Sequence, residues 1–119
     1  MLKKQFRLKK QSAFQATYKV RNSYCIDGVV LWAGKRKTDD NYSTKVGFVV
    51  SKKTHKRSVR RNRLKRLMRE SYRILLKEGQ AENAQKFMSL IFIGYEKALD
   101  KNYAQMYDIV KRLVEKVKG

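Results

Sequence analysis

The chain has no proline, a single cysteine (Cys25), a single histidine (His55) and only 10 acidic residues in 119. Each shortage removes a class of chemistry. One cysteine forms neither an intrachain disulfide nor a cysteine-rich zinc site, and Cys25 reads as a small apolar filler. One histidine and scattered acids leave no His/Cys metal cluster. A nuclease acting through its own metal would need carboxylates that converge, so no metal held by the chain itself is expected. No apolar run approaches the ~20 residues that span a bilayer. Met1 to Lys10 is basic and lacks the apolar stretch of a secretory signal. A cytoplasmic location without a membrane partner is the expectation. With no proline, no internal repeat and no low-complexity linker, glycines and polar clusters carry the punctuation. One domain over residues 1–119 is expected.

Positive charge is what the chain has in excess. Lys and Arg number 30, the formal net charge is +20, and 42% of residues are hydrophobic. That apolar fraction supports one real core, so this is not a disordered polycation. A field of this size repels itself in the compact state and calls for a polyanionic partner, nucleic acid first and an anionic surface second.

Residue patterning predicts the order α-β-β-α-β-α, an α+β sandwich whose sheet is packed by helices. Gln11 to Tyr18 forms a short helix, with Ser12 as a candidate cap, that brings Phe14 and Tyr18 together at i,i+4. Val29 to Ala33 is β-branched and aromatic, a strand. Gly34 to Thr44 is polar and reads as a hairpin loop leading to a strand over Lys45 to Ser51. That strand places Val46, Phe48 and Val50 on one face and Lys45, Gly47, Val49 and Ser51 on the other. A long helix follows from Ser58 to Lys77, with Leu64, Leu67, Met68, Ser71 and Leu75 on its buried stripe. Phe87 to Ile93 is a strand apolar enough to be buried on both sides. Asn102 then caps an amphipathic helix that carries Tyr103, Met106, Tyr107, Val110, Leu113, Val114 and Val117 to the end.

The charge is concentrated. Residues 1–26 hold seven Lys/Arg and no acid, and Lys52 to Arg73 holds eleven Lys/Arg against one acid, Glu70. At 100° per residue, Asn62, Arg66, Arg69 and Arg73 stack in one stripe flanked by Arg61, Arg63 and Lys65, opposite the apolar stripe. Solvated helix faces usually mix signs, because like charges at i,i+4 cost stability. This face does not, and arginine's planar fork suits phosphate. The basic helix is flanked by strands rather than by a second helix across a short turn, so a DNA-reading helix-turn-helix is not expected. Its arginine density suits backbone clamping of RNA. Phe14, Tyr18 and Trp32 read either as core or as a stacking surface for single-stranded RNA, beside the small-residue floor of Gly47, Val49 and Ser51.

The run Ser51-Lys52-Lys53, a short basic connector, and Arg61-Asn62-Arg63-Leu64-Lys65-Arg66-Leu67-Met68-Arg69-Glu70 resembles the signature of the bacterial ribonuclease P protein family. Phe6 to Lys10 with Phe14 and Tyr18, the strand Val46 to Ser51, and Leu90 to Ile93 followed by Asn102 to Leu113 extend the likeness over nearly the whole chain. The resemblance implies an α/β sandwich with a left-handed crossover between parallel strands. It implies a protein subunit that assists endonucleolytic removal of the 5′ leader from precursor tRNA. In it the chemistry belongs to the catalytic RNA, with Mg2+ held mainly by that RNA, and the protein alone is not catalytic. By position, Arg61, Asn62, Arg63, Lys65, Arg66 and Arg69 would bind the catalytic RNA, with Phe14, Tyr18 and Trp32 lining the leader cleft. Lys52 and Lys53 would lie between the two surfaces. Gly94-Tyr95 departs from the Ala-Arg pair frequent in the family, and the connector Thr54 to Arg60 is one residue longer than in many members. His55, within that connector, has no evident carboxylate or nucleophile beside it in sequence and is not expected to act in catalysis.

If the basic helix neutralises about six phosphates, the log–log salt slope of RNA affinity is roughly −4 to −5. The alternative function from composition alone is a small basic ribosomal or other structural RNA-binding protein.

Overall fold

The computed structural model describes residues 6–39 and 41–118. Within it lie α1 (Gln11–Lys19), β1 (Asn22–Ile26), β2 (Val29–Ala33), β3 (Lys45–Val49), α2 (Ser58–Lys77), β4 (Ser89–Gly94) and α3 (Tyr103–Lys116), with short 3-10 turns at Ala84–Lys86 and Glu96–Ala98. The expected elements appear in their expected order, with β1 added in front of β2. Met1 to Gln5 of the basic N-terminus, Asp40 of the polar loop and the terminal Gly119 lie outside the described residues.

β1 forms a hairpin with β2 through Asp27-Gly28, both at positive φ (46° and 84°). Asp-Gly at a two-residue turn is a strong hairpin signal, because both central positions of a type I′ turn need φ > 0. Cys25 lies on this hairpin and is exposed, so it is not the apolar filler expected. Outward positions of a two-stranded edge have nothing to pack against.

The sheet order is β1-β2-β4-β3. β4 pairs antiparallel with β2 and parallel with β3. Gly34 to Thr44 is therefore not a hairpin loop but a connection that passes the end of β4, where Arg36 bridges Phe87. The physical reason lies in β4 itself: Leu90, Ile91 and Phe92 are all fully buried, and only a central strand covers both faces.

One face of the sheet packs against α2 and α3. Leu31, Leu90, Phe92 and Val46 meet Leu64, Met68, Tyr72 and Leu75 of α2 and Met106, Val110, Leu113 and Val114 of α3 in one cluster. Leu67, expected on the buried stripe, is only partly covered, and Tyr72 fills the place beside Met68. Tyr72 is apolar in its ring and satisfied at its tip, where its hydroxyl accepts from Gln85 Nε2 at 2.6 Å. Burial pushes that hydroxyl's pKa well up, so it stays protonated. α2 sits close to the sheet: a Cβ on Gly94 would lie 2.6 Å from Leu64 Cδ2. α3 begins in a full capping box, Asn102 accepting from Gln105 N and Gln105 accepting from Asn102 N, both at 2.9 Å. α1 starts after Lys10 with no side-chain cap, so Ser12 does not cap it. α1 crosses the opposite face of the sheet, held by buried Thr17, whose hydroxyl donates to Ala13 O (2.8 Å) and meets Ser89 Oγ at 2.6 Å.

Candidate RNA interface

The polar face of α2 carries Asn62 and Arg66 in the open and Lys65, Arg69 and Arg73 half-buried. The face is thinner in available cations than its sequence suggests. Arg73 donates to Glu70 Oε2 from Nη2 (2.9 Å) and Nε (3.2 Å), and this pair holds the Glu70 carboxyl below its usual pKa. Arg60 pairs with Asp100 at 2.8 Å.

The two arginines of Arg61-Asn62-Arg63 turn away from each other. Two residues along a helix are separated by about 200°, so they point to opposite flanks with Asn62 between them. Arg61 Nη1 donates to the carbonyls of His55 and Lys56, both at 2.8 Å. Arg63 donates from Nη1 to Leu99 O and from Nη2 to Lys101 O, both at 3.1 Å. Arg61 thus gathers the connector that precedes α2, and Arg63 ties α2 to the turn before α3. Both guanidinium groups keep further N–H donors, since each carries five. His55 belongs to the same local architecture: its Nδ1 accepts from Arg57 N at 3.0 Å. Lys52 and Lys53 stand exposed in the turn that leaves β3.

On the α1 face of the sheet, Phe14 lies over Gly47. A Cβ there would come within 2.6 Å of Phe14 Cζ, so only glycine seats the ring this low. Tyr18 meets Trp32 edge to face, ring centroids 5.2 Å apart at 89°. The buried indole Nε1 of Trp32 has no hydrogen-bond acceptor among the described residues. Burial raises the Tyr18 hydroxyl's pKa, and Tyr95 adds to the shift. Phe14, Tyr18 and Trp32 therefore share one face, apart from the main core cluster.

Arg69 links the two surfaces. Its guanidinium carbon lies 5.9 Å from the Phe48 ring centroid. With Phe14, Gly47, Phe48 and Leu8 it lines a shallow cavity of about 300 Å3. Leu8 reaches this place because the N-terminal segment runs beside β3, Leu8 N donating to Val46 O at 2.9 Å. Sequence reasoning missed Tyr95, which stands exposed at the end of β4 and acts electrostatically on Tyr18. The signal was present only as the Gly94-Tyr95 departure.

Among the described residues no three His, Cys, Asp or Glu side chains gather as metal ligands. No helix among them is long and apolar enough to cross a membrane.

A family model for ribonuclease P matches residues 2–118. The ribonuclease P protein component of Clostridium kluyveri is 35% identical over 111 residues, covering 93% of each chain. That of Clostridium botulinum is 34% identical over 113 residues, 95% of each. The Staphylococcus aureus RNase P protein superposes with a TM-score of 0.74 at 26% identity, over 96% of this chain and 98% of that one. The Thermotoga maritima RNase P protein, at 23% identity, shares the fold with a TM-score of 0.76 over 95% and 98%. With a family model spanning nearly its whole length and relatives matched end to end, the chain belongs to the ribonuclease P protein family.

Proposed function

We propose that this chain is the protein subunit of a ribonuclease P that removes the 5′ leader of precursor tRNA. The α2 face binds the catalytic RNA, and the cleft beneath α1 holds the single-stranded leader. The observation that carries this reading is the meeting of the two surfaces at Arg69, which lines one shallow cavity with Phe14 and Gly47. A polyanion laid along α2 passes there without a break onto aromatic rings.

The protein's part is binding and orientation. Lys52, Lys53, Lys65, Arg66 and Arg69 offset phosphate charge, Asn62 adds a neutral donor, and Arg61 and Arg63 hold the N-terminal turns of the helix while offering their remaining N–H groups. Phe14, Tyr18 and Trp32 supply stacking worth about 1–3 kcal/mol per base. Mg2+ belongs mainly to the catalytic RNA, which carries the chemistry in the cytoplasm.

The test is precursor-tRNA cleavage at low magnesium by a bacterial ribonuclease P RNA, with and without this protein. Stimulated cleavage at the mature 5′ end is expected. Tight, salt-sensitive RNA binding without stimulation would leave a structural RNA-binding protein, of the ribosomal kind, in its place.

A further inference from the structure

The most outward position on α2 is apolar. At 100° per residue, Val59 points about 180° from Met68 and about 160° from Leu75, two buried side chains that seat the helix on the sheet. Val59 is 77% exposed, whereas the other exposed large apolar residues among those described reach only 37–47%. Nothing local favours valine there, since a β-branched residue is a poorer helix former than lysine or arginine. Single apolar side chains are common on protein surfaces, but this one stands in the middle of the basic face. Asn62 is a neighbour one turn on, and Arg66 lies two turns on and only about 20° round the helix. Both are exposed, as are Lys56, Arg57 and Ser58 before Val59.

The turn that carries Val59 is fixed from three sides. Arg60 pairs with Asp100 at 2.8 Å, Arg61 donates to the carbonyls of His55 and Lys56, and Arg63 donates to those of Leu99 and Lys101. The valine side chain is itself stiff at χ1. A contact made by Val59 therefore costs little further ordering.

An apolar group gains nothing against a phosphate. An RNA duplex hides its base faces in the stack and shows phosphates and 2′-hydroxyls, so only a splayed-out base offers a flat apolar face. We propose that Val59 packs against one unstacked base of the catalytic RNA, with the Asn62 amide on the edge of that base. The amide carries a donor and an acceptor side by side, which matches N6 and N7 of adenine. The phosphates next to that base run toward Arg66. This inference rests on the assignment of α2 to the catalytic RNA above. It adds to the electrostatic surface a contact that reads an unpaired nucleotide and is indifferent to salt.

The experiment titrates the full chain against a bacterial ribonuclease P RNA and against a fully paired RNA duplex, each over a range of salt. Val59→Thr keeps the branched shape and replaces a methyl by a hydroxyl, whereas Val59→Ile keeps the apolar surface. Val59→Thr should weaken catalytic-RNA binding about fivefold at every salt concentration, with the log–log slope and the duplex affinity unchanged. Val59→Ile should bind as the parent does. Thermal melts check that both variants fold. An equal loss on the duplex, a changed slope, or parent-like binding by folded Val59→Thr would overturn the base contact. So would a loss by Val59→Ile as large as that by Val59→Thr. A loss confined to precursor-tRNA binding by the assembled holoenzyme would overturn it too, by moving the contact to the substrate. Arg66→Ala tests the underlying reading: unchanged catalytic-RNA affinity there would mean that α2 does not face that RNA, a result distinct from the others.

Discussion

Single residues on the basic helix divide into those that hold the fold and those that face outward. Arg63 bonds two carbonyls near the start of α3, whereas Arg66 is exposed. Arg63→Ala should cost about 1–3 kcal/mol in urea unfolding, since hydrogen bonds to a charged group are lost and carbonyls are left unpaired. Arg66→Ala should stay within about 0.5 kcal/mol of the parent stability but reduce the salt slope of RNA binding by roughly one unit. Equal stability losses would mean that the arginines do not differ in role. Two of the close-packed glycines, Gly94 and Gly47, divide in the same way. Gly94→Ala presses on Leu64, which is fully buried, and overpacking of this kind costs about 1–3 kcal/mol. Gly47→Ala presses on the tip of Phe14, which is only half-buried and free to swing aside. The expected result is near-parent stability with weaker preference for precursor over mature tRNA in binding titrations. Unchanged preference would place Phe14 outside the leader's path.

At the level of elements, α2 is both a wall of the core and a polyelectrolyte surface. Its N-terminal turns are tied by Arg61 to the connector and by Arg63 to the turn before α3. Arg60 and Arg73 are paired with Asp100 and Glu70. Phosphate contact then falls mainly to Lys52, Lys53, Lys65, Arg66 and Arg69. Five contacts predict a log–log salt slope of about −3.5 to −4.5, shallower than the count of arginines alone suggests. Salt titration of catalytic-RNA binding measures it directly. A slope near zero would remove the electrostatic account, and a slope far steeper would show the paired arginines released to the RNA. The segment Phe6 to Leu8 matters here too, because its pairing to β3 carries Arg7 to the shallow cavity that Phe14 and Arg69 line.

For the whole molecule, a net charge of +20 on 119 residues sets repulsion against a single core. Anions that gather on the folded surface more strongly than on the unfolded chain stabilise it by mass action, by roughly 1.4 kcal/mol at ten times their Kd. Sulfate should therefore raise the melting midpoint above that in chloride at matched ionic strength. No difference between the two salts would show that folding does not organise the cations into anion sites.

The sequence by itself determined whatever depends on local period and local chemistry. The bounds of α2 at Ser58 and Lys77, the strand Val29–Ala33 and the Asn102 cap all follow from spacing within one element. The polar stripe through Asn62, Arg66, Arg69 and Arg73 follows from the same 3.6-residue period, and the family was legible in the Arg-Asn-Arg context. Only the tertiary structure decided which cations stay available and where the aromatics sit. The carbonyls that take up Arg63 come from Leu99 and Lys101, and the glycine beneath Phe14 comes from a strand beyond two intervening ones. The central place of β4 separated β2 from β3 and turned an expected hairpin into a crossing connection. Periodicity reports which face of an element is apolar. Which distant carbonyl, ring or strand that face meets is set by packing, where burial on both sides of β4 outweighs the proximity of β2 and β3 in the chain.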